Sequence, residues 1–228
     1  ASMKPIIITV DGWSSCGKST LARQLAKELN YIFIDSGAMY RAITLFFIRE
    51  NIDIHDQEAV VAALQRIQLC FKLNEGNGNN EIWMNDENVE VPIRNMSVAQ
   101  KVSQVAAIKE VREFAVAKQK EIGSLKGIVM DGRDIGTAVF PNAELKIFMT
   151  ASIPVRVNRR YKELMHKDPQ ITIESVRENL EQRDHLDSTR EISPLSKAED
   201  AIVLDNSDLT PEEQFNIALN WAKERMSD

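Results

Sequence analysis

At 228 residues, 43% apolar side chains and a net charge of −6, the chain can bury one sizeable core with excursions, and it lacks the clustered positive charge of an extended nucleic-acid surface. Two cysteines, Cys16 and Cys70, exclude a disulfide framework. No apolar run reaches the ~18 residues of a membrane span and no basic leader with an apolar stretch opens the chain, so a soluble, cytoplasmic protein is expected; Ala1-Ser2, ahead of Met3, is read as an expression remnant.

In chain order, residues 6–10 form a β-branched run ended by Asp11-Gly12, and Leu21, Leu25, Ala26 and Leu29 then recur at helical spacing. Strand, loop and helix are expected in that order. Short apolar runs at 31–34, 128–130, 145–149 and 202–204, separated by helical patterns, fit further strands buried on both faces. The expected fold class is therefore α/β, a five-stranded parallel sheet flanked by helices. Residues 67–73 alternate apolar and polar, and the runs 82–84 and 89–91 follow turn-forming residues, which predicts a small antiparallel sheet inserted into the core. Eight acidic and three basic side chains in 51–95 argue against that insert gripping phosphate with its whole face. One long helix is expected over 97–122, with Val98, Val102, Val105, Ile108 and Val111 on one stripe. Residues 152–193 carry Arg156, Arg159, Arg160, Arg177, Arg183 and Arg190 on two predicted helices around a break at 167–170. Thr210-Pro-Glu-Glu213 combines an N-cap, a proline at the first helical position and a capping-box glutamate, and so announces a last helix.

The strand–loop–helix start carries the chemistry. Gly12-x-x-x-x-Gly17-Lys18-Ser19 has the spacing of a phosphate-binding loop, in the context that makes the pattern specific. Residues Gly12, Trp13, Ser14, Ser15, Cys16, Gly17, Lys18, Ser19 and Thr20 are expected to hold ATP. Backbone N–H groups cradle the phosphates at a helix N-terminus, Lys18 reaches the β- and γ-phosphates, and Ser19 ligates Mg²⁺. Trp13 and Cys16 are large for such a loop; Cys16, close to a helix N-terminus, is expected to have a lowered pKa, to be alkylated readily and to be protected by ATP. No Asn-Lys-x-Asp motif of a guanine-nucleotide switch is present, and the strand at 128–130 ends not in Asp-Glu but in Asp131-Gly-Arg-Asp134. Asp131 remains open between a residue behind the metal and a strand-end cap. His55, His166 and His185 are isolated and read as surface residues.

Asp35-Ser-Gly-Ala-Met-Tyr-Arg41, Asp131-Gly-Arg-Asp-Ile-Gly-Thr137, Phe140-Pro, and Gln182-Arg-Asp-His-Leu-Asp-Ser-Thr-Arg190 followed by Ser193-Pro-Leu195 together resemble the bacterial cytidylate kinases across almost the whole chain. The resemblance implies a P-loop nucleoside monophosphate kinase that transfers the γ-phosphoryl of ATP to CMP or dCMP. It implies Lys18, Arg133, Arg183 and Arg190 as catalytic residues; Arg41, Arg133 and Arg190 on the acceptor phosphate; Arg183 and Asp187 near the ribose or the transferring group; Ser36, Ser103, Arg112 and Asp134 around cytosine, with Tyr40 in the same motif. It also implies that Arg156, Arg159 and Arg160 close over ATP, Arg159 being taken as the ATP contact. One domain over 1–228 is expected, with core 3–62, 97–152 and 194–228, insert 63–96 and helical lid 153–193, acting as a monomer on small molecules without nucleic acid or membrane. A carboxylate at Asp134 suits cytosine, whose exocyclic amino group donates where uracil accepts. Two alternatives stand beside this reading: a sibling kinase of UMP, AMP or another small acceptor, and a nucleotide-dependent switch that binds a partner through the acidic insert.

Overall fold

The computed structural model describes residues 3–227, so Ala1 and Ser2 lie outside the described residues. Two compact units are present: one runs to Tyr31 and resumes at Lys126, and the other is Ile32–Leu125. The first opens with β1 (Ile7–Gly12) and α1 (Lys18–Leu29). The second holds β2 (Ile32–Asp35), α2 (Ser36–Arg49), α3 (Gln57–Leu64), β3 (Leu69–Asn74), β4 (Asn79–Met84), β5 (Glu87–Asn88), α4 (Met96–Ala106) and α5 (Lys109–Ile122). The chain returns to the first unit with β6 (Ile128–Gly132), β7 (Leu145–Thr150), α6 (Ile153–Met165), α7 (Ile173–Thr189), β8 (Ile202–Asp205) and α8 (Pro211–Met226).

The main sheet is the expected five-stranded one, in the order β2-β6-β1-β7-β8. Parallel registers place Ile7 beside Ile128, Ile8 beside Leu145 and Ile147 beside Ile202. The β-branched runs explain it: Ile8, Val10, Val129 and Met130 are fully buried, as strands covered on both faces require. No helix among the described residues is long and apolar enough to cross a membrane.

The insert is antiparallel, β3-β4-β5, but its third strand is Glu87–Asn88 rather than 89–91. Asn85 and Asp86 both take positive φ and close a tight hairpin there. Pro92 then starts a 3₁₀ turn that draws the chain off the sheet, leaving Val91 exposed. The expected single helix over 97–122 is two helices. Ile108 adopts an extended conformation, and Arg112 Nε donates to the Ala106 carbonyl at 2.6 Å, satisfying one oxygen that the broken helix releases. Of the stripe, Val98, Val105 and Val111 stay buried.

Residues 153–189 form two helices with a core of their own, Val157, Val176 and Leu180, flanked by Tyr161, Leu164 and Ile171. Arg190 lies just past α7, in extended conformation, rather than on a helix. Thr210 and Glu213 make both bonds of the capping box at the start of α8.

Candidate active site

The loop after β1 is built on two glycines with different duties. A Cβ on Gly12 would lie 2.2 Å from the Met149 carbonyl oxygen, so only glycine lets β1 run this close to β7. Gly17 has open space around it, but its φ of +85° is left-handed, which L side chains resist. Three loop carbonyls are held by side-chain donors: Lys18 Nζ donates to Trp13 O at 2.7 Å, Arg156 Nε to Ser14 O at 3.0 Å, and Asn206 Nδ2 to Cys16 O at 2.8 Å. With the carbonyls engaged in this way, the loop's N–H groups are the part left to meet an anion, beside the positive end of α1.

Asn206 is itself fixed. Arg159 donates from its two terminal nitrogens to Asn206 Oδ1 and to its carbonyl, each at 2.9 Å, and Gln214 Oε1 accepts from Asn206 Nδ2. Arg156, expected over ATP, is instead 3% exposed and grips Asp184 of α7 through both terminal nitrogens, at 2.7 and 2.6 Å. Its guanidinium lies 5.8 Å from the Trp13 ring centroid, which gives that bulky loop residue a cation–π partner. Arg160 pairs with Glu163 on its own helix.

Cys16 departs from expectation. It is 1% exposed, and burial pushes its thiol pKa up, outweighing the nearby Lys18, Arg156 and Arg133 charges that favour thiolate. A helix N-terminus lowers a thiol's pKa only where the thiolate is not stranded in apolar surroundings.

Lys18 is buried, and desolvation first, then the Arg133 guanidinium, lower its pKa to about 7. Arg133 Nε donates to Asp187 Oδ2 at 2.9 Å, bringing two of the expected acceptor residues together. The segment after α7 is laced to them: Leu195 N donates to Asp187 O, Ser196 N to Arg133 O, and Arg190 Nε to Ser193 O. Arg183 lies exposed on α7. Asp131 and Asp134 are buried, and Asp131 favours the charged form of Lys18.

In the second unit, Ser36, Tyr40 and Arg41 come from α2, Ser103 from α4 and Arg112 from α5. Ser36, Tyr40 and Arg112 are buried, whereas Ser103 is exposed. Arg112 donates to the Tyr40 hydroxyl at 3.1 Å and lies 4.6 Å from the Tyr40 ring centroid. Arg41 pairs with Asp35, the N-cap of α2, at 3.1 Å. Gly37 makes room for that pair, since a Cβ there would stand 3.2 Å from both partners.

The cytidylate kinase family model matches residues 8–224. The chain belongs to the cytidylate kinase family. The relative from Bacteroides fragilis, a cytidylate kinase, is 54% identical over 93% of this chain and 94% of its own length. Cytidylate kinases from Flavobacterium johnsoniae and Porphyromonas gingivalis are 53% and 49% identical, over 95% and 98% of this chain and 96% and 97% of theirs. Membership makes the chain an enzyme, a cytidylate kinase that phosphorylates CMP or dCMP with ATP. Among solved structures, a putative kinase from Chloroflexus aurantiacus aligns with a TM-score of 0.51 at 15% identity, over 100% of this chain and 98% of its own; that likeness speaks for the fold alone.

Several residues of this cytidylate kinase site carry no motif of their own. Asp184 on α7, Asn206 just past β8 and Gln214 on α8 are ordinary polar residues, and only the fold brings them to the loop. Asp11 precedes the loop directly, and a carboxylate inside a β-branched strand end was the one available signal.

Proposed function

We propose that the chain transfers the γ-phosphoryl of Mg-ATP in line to the phosphate of CMP or dCMP, with arginine side chains, and no general base, supplying the catalysis. The observation that carries the reading is Arg133: a guanidinium close enough to depress the Lys18 pKa, tethered by Asp187, gives the lysine of the phosphate loop a second cation. Two adjacent cations repel each other until phosphates arrive, and a loose transition state spreads its charge over oxygens that both can reach. A phosphate monoester has a second pKa of about 6, so the attacking oxygen is ionised at neutral pH without help.

Arg41, Arg133 and Arg190 would hold the acceptor phosphate, with Arg183 on the transferring group and Asp187 between Arg133 and the ribose. Asp134 would accept from the cytosine amino group, and Arg112, steadied by Tyr40, would donate to the ring carbonyl, with Ser36 and Ser103 completing the base contacts. Arg159 would act on the donor side through Asn206 and the Cys16 carbonyl. The segment 153–193 would serve as lid and 63–96 as acceptor-side insert, in a monomer of the cytoplasm.

Magnesium fits the donor set. Among the described residues no three His, Cys, Asp or Glu side chains gather into a metal site of their own. The Ser19 hydroxyl, with Asp131 near Lys18, suits a hard cation that arrives on the phosphates and keeps most of its waters. When bound it neutralises charge on the β- and γ-oxygens.

The test is ADP production from Mg-ATP with CMP, dCMP, UMP, AMP and GMP offered singly, in wild type and Asp134→Ala. Cytosine preference that relaxes in the variant is expected; preference kept in the variant would remove Asp134 from the base pocket.

A further inference from the structure

Asp11 stands one residue ahead of the phosphate loop, and no step above uses its carboxylate except as a neighbour of Lys18. It is 4% exposed at the end of β1, and both its oxygens are engaged: Oδ1 accepts from the Ile135 N–H at 2.9 Å and Oδ2 from the Gly136 N–H at 2.8 Å. Those N–H groups open the single π-helical turn Ile135–Val139. The residue just before that turn is Asp134, whose carbonyl accepts from the Thr137 hydroxyl at 3.1 Å and from the Ala138 N–H at 2.8 Å. The turn thus holds the Asp134 backbone, and Asp11 holds the turn. Gly136 shows how close the seat is: a Cβ there would lie 3.0 Å from Thr9 Oγ1, 3.2 Å from Lys146 Cδ and 3.4 Å from Asp11 Oδ2.

We propose that Asp11 is a specificity-positioning residue, which clamps the turn Ile135–Val139 to β1 and so fixes the backbone from which Asp134 reads the base. The inference rests on the assignment of Asp134 to cytosine made above. A carboxylate is required because two adjacent N–H groups ask for two acceptor oxygens; an asparagine offers one and turns an amide donor on the other. Ile135 and Gly136 are both buried, so water does not take the place of a lost acceptor. Position agrees with charge, since Asp11 feels both Asp134 and Lys18 and thus stands beside the base-side carboxylate and the phosphate-side lysine at once.

Steady-state kinetics with CMP and with UMP at saturating ATP, in wild type, Asp11→Asn, Asp134→Ala and the double variant, test it, with the ATP dissociation constant measured separately by calorimetry. Asp11→Asn should lower the CMP-over-UMP ratio of kcat/KM about tenfold, the scale of one hydrogen bond to a charged group, mainly through KM. ATP affinity should stay within about twofold, and the double variant should be no less selective than Asp134→Ala. Should Asp11→Asn fail to fold, Gly136→Ala, whose Cβ displaces the same turn, is expected to give the same loss of selectivity. If Asp134→Ala collapses the ratio while Asp11→Asn and Gly136→Ala keep it, the clamp is wrong and the base assignment survives. If Asp134→Ala leaves the ratio intact, the base assignment falls and the clamp with it. A loss of ATP affinity as large as the loss of selectivity, or fully multiplicative effects in the double variant, would also overturn the clamp.

Discussion

Replacing Arg156 with methionine should cost stability before it costs chemistry. The side chain is 3% exposed, makes two short bonds to Asp184 and one to the Ser14 carbonyl, and covers Trp13. Methionine keeps the apolar stem but leaves the Asp184 carboxylate, 16% exposed, without its guanidinium. Removing one partner of a buried pair costs about 3–5 kcal/mol, and the residual access of Asp184 to water favours the lower end, about 3 kcal/mol. At roughly 2–4 °C per kcal/mol for a chain of this size, the melting temperature should fall by about 6–12 °C, read by circular dichroism. Asp184→Asn, which retains an acceptor oxygen, should cost less, and the double variant less than the sum of the two. Well below the transition, kcat should stay within about tenfold of wild type, while KM for ATP rises as Ser14 loses its tether. An unchanged melting temperature with kcat reduced several-hundredfold would refute the argument and return Arg156 to the transition state.

Gly12→Ala should yield no stable protein, because its Cβ meets the Met149 backbone, whereas Gly17→Ala should fold with a penalty of about 1–2 kcal/mol for a left-handed alanine; equal thermal shifts in the two would contradict the close-approach reading of Gly12. Burial raises the Asp11 pKa from 3.8 to about 6, so the folded chain holds a proton there that the unfolded chain releases; this stability is fully present below pH 4 and is lost as pH rises through 6, about 3 kcal/mol in all. Urea unfolding from pH 4 to 7 should therefore show wild type losing ground to Asp11→Asn as pH rises, and parallel profiles would rule out a raised pKa. Native protein should present one thiol to a disulfide reagent, the exposed Cys70, and a second only on denaturation; two fast thiols in the native state would mean that Cys16 is not buried as described.

Those elements visible in the amino-acid sequence are the ones whose cause is local. The core strands announce themselves because a strand covered on both faces must be apolar almost throughout, as 128–130 is and as 6–10 is apart from Thr9, whereas the edge strands β2 and β8 leave Ile32 and Val203 exposed. Thr210 and Glu213 predict their own capping box because both partners lie within one helical turn. The break between α4 and α5 has no such cause: no Gly or Pro stands at Ala107 or Ile108, and the stripe of valines continues in register across it. What stabilises the break is a buried arginine turning back to the Ala106 carbonyl, a tertiary bond that helical periodicity does not encode.

The same division runs through the active site. The Gly-x-x-x-x-Gly-Lys-Ser pattern specifies the side of the loop that faces an anion, because glycine conformations and the lysine are local requirements. Its other side depends on Arg156, 142 residues from Ser14, and on Asn206, 190 residues from Cys16, neither of which carries a signature. Yet an N–H cradle holds its shape only while its carbonyls are occupied elsewhere, since a loop free to rotate its peptide planes would present oxygen to phosphate. Trp13 and Cys16 are tolerated in this loop for that reason: the one lies by the guanidinium that holds Ser14, the other is packed beneath a carbonyl that Asn206 holds. The bulky side chains belong to the scaffold that orients the loop, and the phosphate-facing surface is left to the backbone.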